Sequence, residues 1–349
     1  MPTIKLIFIS LLALVTAMAC AFVNNMVFPS LPTANNPTTL PPTSLPPGAS
    51  PTVPPPTATA IFEAACPGLL ADILNEDTSN STGTFENEKQ IRYLVTYTIA
   101  DNKLGKRQDI FVPDELKDER DARASHEFIW NYFTALVPEK EREYVAEFSV
   151  ISDGKENVLA AVGPTHDNPA KWGLKVDILD SDDPYTLTNT LLHEFGHLLT
   201  LNSKQVSVDR LVFYNPDDKN FYERAVSACD QYFTGMGCSA PDSYMNEFFN
   251  RFWKDLYTEW QDIDLEADEN TRHIMLDGFY KIYRDQFLTD YAATSPAEDI
   301  AESWAYFVLS PKPELDSIAN EKILFFYEYP ELVALRQEIL NRLCVEFPQ

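Results

Sequence analysis

The chain has 349 residues, with 53 acidic against 27 basic side chains and a net charge of −26. That balance repels phosphate backbones and leaves no basic patch, so no nucleic acid is expected among its partners. Lys5 is the one charged residue of the first 60, and the acidity falls on residues 61–349, enough for one large domain or two small ones around a shared cleft.

Lys5 and the apolar run 6–19, closing on Ala17-Met18-Ala19, read as a signal peptide over residues 1–19. Cys20 directly after it suggests a lipobox and a lipidated N-terminus. Ala17 stands where such a box favours leucine, and the apolar run continues to Val23, so a plain cleaved signal and an uncleaved signal anchor stay open. All three are extracytoplasmic. Residues 20–60 are Pro-, Thr- and Ser-rich, with eleven prolines between Pro29 and Pro56 and no charge. Such a segment cannot bury a core and reads as an extended, semi-rigid tether that lifts residues 61–349 off a membrane.

Cys66, Cys229, Cys238 and Cys344 are an even set, which in an oxidising compartment suggests two disulfides. Cys229 and Cys238 lie close together with Gly235 and Gly237 between them, so they are expected to pair and to leave Cys66 with Cys344. Residues 90–100 and 108–112 alternate like a hairpin with its turn at 101–106. Residues 114–136 read as one helix with Phe128, Ile129, Tyr132 and Phe133 inward. His126-Glu127 inside it is not followed by a second histidine and reads as surface or core. Strands are expected at 145–152, 157–162 and 172–179.

The next segment carries Leu191-Leu192-His193-Glu194-Phe195-Gly196-His197-Leu198-Leu199. Two histidines four apart share one helix face and can bind a single Zn2+, and a glutamate beside the first can act as base toward a bound water. At 100° per residue, Thr186, Asn189, Thr190, Glu194, His197 and Thr200 fall on His193's polar side, while Leu187, Leu191, Leu192, Phe195, Leu198 and Leu199 fall opposite. Asp183-Pro184 supplies an N-cap and first-turn proline, and Asn202 a stop. Beyond it, the aromatic helix 243–262 and the helix 272–286 read as core; His273 lacks the carboxylates a ligand histidine attracts.

A catalytic zinc needs a third protein ligand. A third histidine ten residues after the first is ruled out by Ser203. Ser295-Pro296 opens a helix that places Glu298, Glu302 and Ala305 on one face and Ile300, Trp304 and Phe307 on the other. One carboxylate there can bind metal and another can accept Nδ1–H of a ligand histidine. Periodicity alone leaves open which does which.

The two motifs together resemble the gluzincin metallopeptidases, most closely the C-terminal catalytic domain of anthrax lethal factor and its bacterial relatives. That family has His-Glu-Phe-Gly-His, then a Glu-x-x-Ala-Glu helix preceded by a tyrosine seven residues before the ligand glutamate. Here Tyr291 stands seven before Glu298. The resemblance implies one Zn2+ on His193, His197 and Glu298, with Glu194 as general base, Tyr291 as oxyanion donor and Glu302 behind a ligand histidine, His193. It implies an α+β zincin fold over roughly residues 85–310, a small mixed sheet with its edge strand over the zinc helix and a mainly helical lower half. In that family the last strand before the zinc helix, here 172–179, is the edge that pairs with extended substrate. The 100 residues between His197 and Glu298 exceed a minimal spacing and require a helical insertion at about 203–290. The expected protein is thus an extracytoplasmic zinc metallopeptidase acting on a peptide or protein. Its rival is a surface-tethered binding protein that keeps the zincin fold without catalysis.

Overall fold

The computed structural model describes residues 67–75, 91–154 and 158–346. The expected signal peptide, Cys20, the tether and Cys66 lie outside them. After helix α1 (Pro67–Asn75), strands β1 (Arg92–Ala100) and β2 (Lys103–Asp109) form a hairpin. Its turn is only Asp101-Asn102, with φ of 49° and 58°, the left-handed pair that a tight hairpin needs. The turn expected over 101–106 is shorter because Lys103, Lys106 and Arg107 are strand residues, the charges of an exposed sheet edge.

β3 (Val145–Ser152), β4 (Ala160–Pro164) and β5 (Trp172–Asp177) complete a five-stranded mixed sheet of order β2-β1-β3-β5-β4. β3 and β5 run parallel, and all other neighbours antiparallel. This corrects the expectation that 172–179 is the substrate-facing edge: β5 is internal, and β4 returns outside it. Trp172, Leu174 and Val176 of β5 are buried core, whereas β4 is short and ends on Pro164, which has no N–H for a further strand.

The helix expected over 114–136 is broken at Ala122 into α2 (Lys117–Asp121) and α3 (Arg123–Leu136). Ile129, Tyr132 and Phe133 point inward with Trp130 and Leu136, but Phe128 is 60% exposed, on the outer side of the phase the others set. His126 is a satisfied core histidine, hydrogen-bonded to the Tyr97 hydroxyl at 3.0 Å and the Glu119 carbonyl at 2.8 Å.

Helix α4 (Pro184–Leu201) packs against β4 and holds the histidine motif. Its seven buried Leu and Phe side chains contribute roughly 1.5–3 kcal/mol each. Ordering each residue costs about 1–2 kcal/mol, so packing rather than propensity maintains this Thr- and Asn-containing helix. The intervening segment opens with β6 (Val206–Val208), α5 (Arg210–Tyr214), α6 (Lys219–Ala228) and β7 (Gly237–Ser239). These surround a separate small core of Val212, Ala225 and Phe233, stapled by the Cys229–Cys238 disulfide. Cys344 is also disulfide-bonded.

The helix expected over 243–262 is α7 (Tyr244–Phe248), a π-helical turn (Phe249–Trp253) and α8 (Tyr257–Asp264). The wide turn resets the helical phase, so Phe248, Phe252, Trp253, Leu256 and Trp260 all enter the main core. α9 (Glu269–Ile282), a 3₁₀ turn (Tyr291–Thr294), α10 (Pro296–Leu309), α11 (Ile318–Phe326) and α12 (Pro330–Glu346) follow. The architecture is α+β, a mixed sheet above a helical half. Among the described residues no helix is long and apolar enough to cross a membrane.

Candidate metal centre

The site lies where α4 crosses α10. Asp183 caps α4, accepting from Tyr185 N at 3.0 Å and Thr186 Oγ1 at 2.6 Å, and Asn202 Nδ2 donates to the carbonyls of Leu198 and Leu199 at 3.0 Å. Ser295 caps α10 by accepting from Glu298 N at 3.1 Å. The glycine of the motif sets how near the helices come. A Cβ at Gly196 would lie 3.0 Å from Ala301 Cα and 3.1 Å from Trp304 Cδ1, so only a residue without a side chain lets α10 approach this closely.

That approach brings three donors together from segments about a hundred residues apart. His193 Nε2 and His197 Nε2 are 3.1 Å apart, and Glu298 Oε2 lies 3.0 Å from the first and 3.1 Å from the second. Ligands on a tetrahedral zinc with bonds of about 2.0–2.1 Å stand about 3.3 Å apart. The donors need to spread by only a few tenths of an ångström to hold such an ion. His193 Nδ1 is 2.8 Å from Glu302 Oε1. A carboxylate only accepts, so Nδ1 carries a proton toward Glu302 and Nε2 is the ring nitrogen turned to the common point. Three lone pairs converging in a buried site require a proton or a cation between them.

The electrostatics reflect this crowding. Burial opposes the charged form of His193, yet its hydrogen bonds to Glu298 and Glu302 outweigh burial and hold its pKa well above the usual imidazole value. Burial also opposes ionisation of Glu298, but His197 and His193 overcome it and keep the carboxyl far below the ordinary range. Histidine and glutamate thus share a proton where a cation would replace it. His197 Nδ1 is buried with no hydrogen-bond partner among the described residues.

Glu194 faces the same space from α4 and lies outside the donor triangle. Its Oε2 accepts from the backbone N–H of Val162 on β4 at 2.8 Å. Burial pushes its pKa up, partly opposed by the two histidines and this N–H. The same hydrogen bond fixes the facing of β4. The Val162 N–H points outward, whereas Leu159 O and Thr165 N bond back to Asp177 and Lys171 beside β5. Even-numbered residues of β4 therefore present the open edge, with Pro164 contributing a carbonyl only.

The ring of Tyr291 lies 5.7 Å from that of His193, tilted by 44°. Its turn is held by Asp290, which accepts from Tyr291 N, and by Trp260, whose indole donates to Thr294 O at 2.9 Å. Thr289 Oγ1 donates to Glu302 Oε2 at 2.9 Å and accepts from Ala292 N at 3.0 Å. Asp299, next to Glu298, is fully buried between Trp253 Nε1 at 2.7 Å and Lys322 Nζ at 2.6 Å. His273, on α9, is in neither group of ligand-type side chains found among the described residues. The second group, Asp153, Asp177 and Asp180, sits at the ends of β3 and β5.

His193, Glu194, His197, Tyr291, Glu298 and Glu302, all singled out from sequence, are thus brought together. Val162, Thr289, Asp299 and Lys322 are not marked by the sequence reading. Val162 acts through its main chain and leaves no trace in residue type. Thr289 has one local signal, the three-residue spacing to Ala292 of a hydroxyl cap. No protein-family model, curated protein or solved structure matches this chain.

Proposed function

We propose that the chain is a zinc-dependent metallopeptidase of gluzincin type with a zincin fold, exported and tethered outside the cytoplasm. The reading is carried by the triangle of His193 Nε2, His197 Nε2 and Glu298 Oε2, 3.0–3.1 Å on a side. These three residues would hold the ion, with Glu302 orienting His193 from behind. Bound there, Zn2+ would supply Lewis-acid polarisation of a peptide carbonyl and acidify a water.

The chain's own residues account for the rest. Glu194 has one oxygen anchored on Val162 N and the other available for a proton, which it takes up and passes to the leaving amine. Its burial raises its basicity for that exchange. Tyr291, beside His193, is the hydroxyl donor to the developing oxyanion. A peptide strand adds antiparallel to the open edge of β4, using the outward groups of Ala160 and the carbonyls of Val162 and Pro164.

A peptide library incubated with the purified protein, with and without a zinc chelator, tests this. Cleavage that chelator abolishes and added Zn2+ restores is expected. Glu194→Gln should retain zinc and lower turnover at least about a hundredfold. A wild-type protein that takes up no zinc and cleaves nothing refutes the proposal, whereas zinc uptake without cleavage favours the non-catalytic binding protein.

A further inference from the structure

Glu302 could orient His193 only if Glu302 itself were fixed. A glutamate has three side-chain torsions, and one hydrogen bond does not set them all. Its second oxygen is therefore the informative one, and it meets Thr289. The Thr289 hydroxyl accepts from the backbone N–H of Ala292, and an oxygen so engaged turns its own hydrogen elsewhere. That hydrogen goes to Glu302 Oε2 at 2.9 Å. With Oε2 occupied by a donor, Oε1 is left to accept from His193 Nδ1 at 2.8 Å. Every donor in the row Ala292 N, Thr289 Oγ1 and His193 Nδ1 then has one acceptor; the main-chain N–H sets the direction of the Thr289 bond, and the carboxylate, which only accepts and is held at both oxygens, sets that of His193. The row ends at His193 Nε2, 3.1 Å from His197 Nε2 and 3.0 Å from Glu298 Oε2.

We propose that Thr289 is a positioning residue that acts through Glu302 to fix the tautomer and ring angle of His193. The same hydroxyl ties the Tyr291 turn to the ligand set, because the N–H it accepts is that of Ala292 in this turn. The oxyanion donor and the metal ligand thereby share one anchor. This inference rests on the zinc reading of the site.

Thr289→Val keeps the shape and removes both hydrogen bonds, while Thr289→Ser keeps both. Zinc affinity of the full chain, measured by chelator competition, should fall about tenfold in the valine variant and stay within about threefold of wild type in the serine variant. Glu302→Gln should also weaken zinc, and the double variant Thr289→Val/Glu302→Gln should be no weaker than Glu302→Gln alone, since one residue acts through the other. Melting of the metal-free proteins separates this from simple capping. A cap alone would lower the melting temperature of Thr289→Val and spare its zinc affinity, and that result overturns the proposal. Additive losses in the double variant overturn it too. If His193→Ala abolishes zinc binding while Thr289→Val binds like wild type, the zinc reading stands and the Thr289 role falls. If wild type binds no zinc, both fall.

Discussion

Gly196→Ala places one methyl group where α4 and α10 touch. Ordinary carbon–carbon contacts are about 3.5–4.0 Å. The new Cβ would stand 3.0 Å from Ala301 Cα, 3.1 Å from Trp304 Cδ1 and 3.3 Å from Ala301 Cβ. The nearest atom is backbone, so no rotamer change relieves it and α10 must retreat by about half an ångström. Replacing a helical glycine by alanine is worth about 1 kcal/mol to α4, and overpacking costs about 1–3 kcal/mol, so the metal-free protein should lose between about 0 and 2 kcal/mol. The effect on metal should exceed the effect on stability. Glu298 and Glu302 ride on the displaced helix, and ligand distances tolerate only about 0.2 Å. Zinc affinity should fall at least about tenfold, equivalent to about 1.4 kcal/mol. Chelator competition on the variant and denaturant unfolding of its metal-free form are the assays. Zinc affinity within about twofold of wild type, or a variant stabilised by the full helical gain, would refute the claim that this contact sets the ligand spacing.

Lys322→Met should destabilise by about 3–5 kcal/mol, because it leaves the Asp299 charge buried without its cation, and adding Asp299→Asn should recover most of that; a loss below about 1 kcal/mol in denaturant melts contradicts the pairing. Asp177 is fully buried, and burial pushes its carboxyl up from 3.8 to about 7. The folded state therefore holds this proton more tightly than the unfolded one. Its stabilising contribution is complete below about pH 4 and is lost as pH rises through about 7, on the order of a few kcal/mol. Melting curves of wild type and Asp177→Asn between those limits should shift in favour of Asn as pH rises, and a constant gap rejects the assignment. Non-reducing peptide mapping of exported protein should link Cys229 to Cys238 and Cys344 to Cys66; free thiols at these positions count against both the pairing and the compartment.

The residues announce the helices of the site because their signals are local. Asp183-Pro184 and Ser295-Pro296 mark starts, and polar and apolar faces separate at 3.6-residue spacing, so α4 and α10 are visible from one segment each. The sheet is less legible. Strands 145–152 and 160–164 are close to expectation, but which strand forms an edge depends on pairing between segments, and the run of β5 carries no mark of being covered by β4. The break at Ala122 and the π turn at Phe249–Trp253 are likewise consequences of packing, since both segments have continuous helical patterns. The anchors behind the donor cluster escape for the same reason. Lys322 looks like a solvent-facing lysine of an ordinary helix, and only the meeting of α11, α10 and Trp253 reveals it at 0% exposure.

Helix α12 braces the helix that presents Glu298. Arg336 donates to Phe307 O at 2.5 Å and to Ser310 O at 2.8 Å, satisfying carbonyls at the end of α10, the helix that presents Glu298. Leu335, Ile339, Leu340 and Leu343 on the same helix complete the main core. Every side chain of the donor cluster has been synthesised once Glu302 leaves the ribosome, yet α10 is not fastened at its far end until Arg336 follows. The order of synthesis thus separates possession of the clustered residues from their bracing. A chain that stops before α12 carries the whole donor cluster in its sequence without the brace that Arg336 supplies at the end of α10.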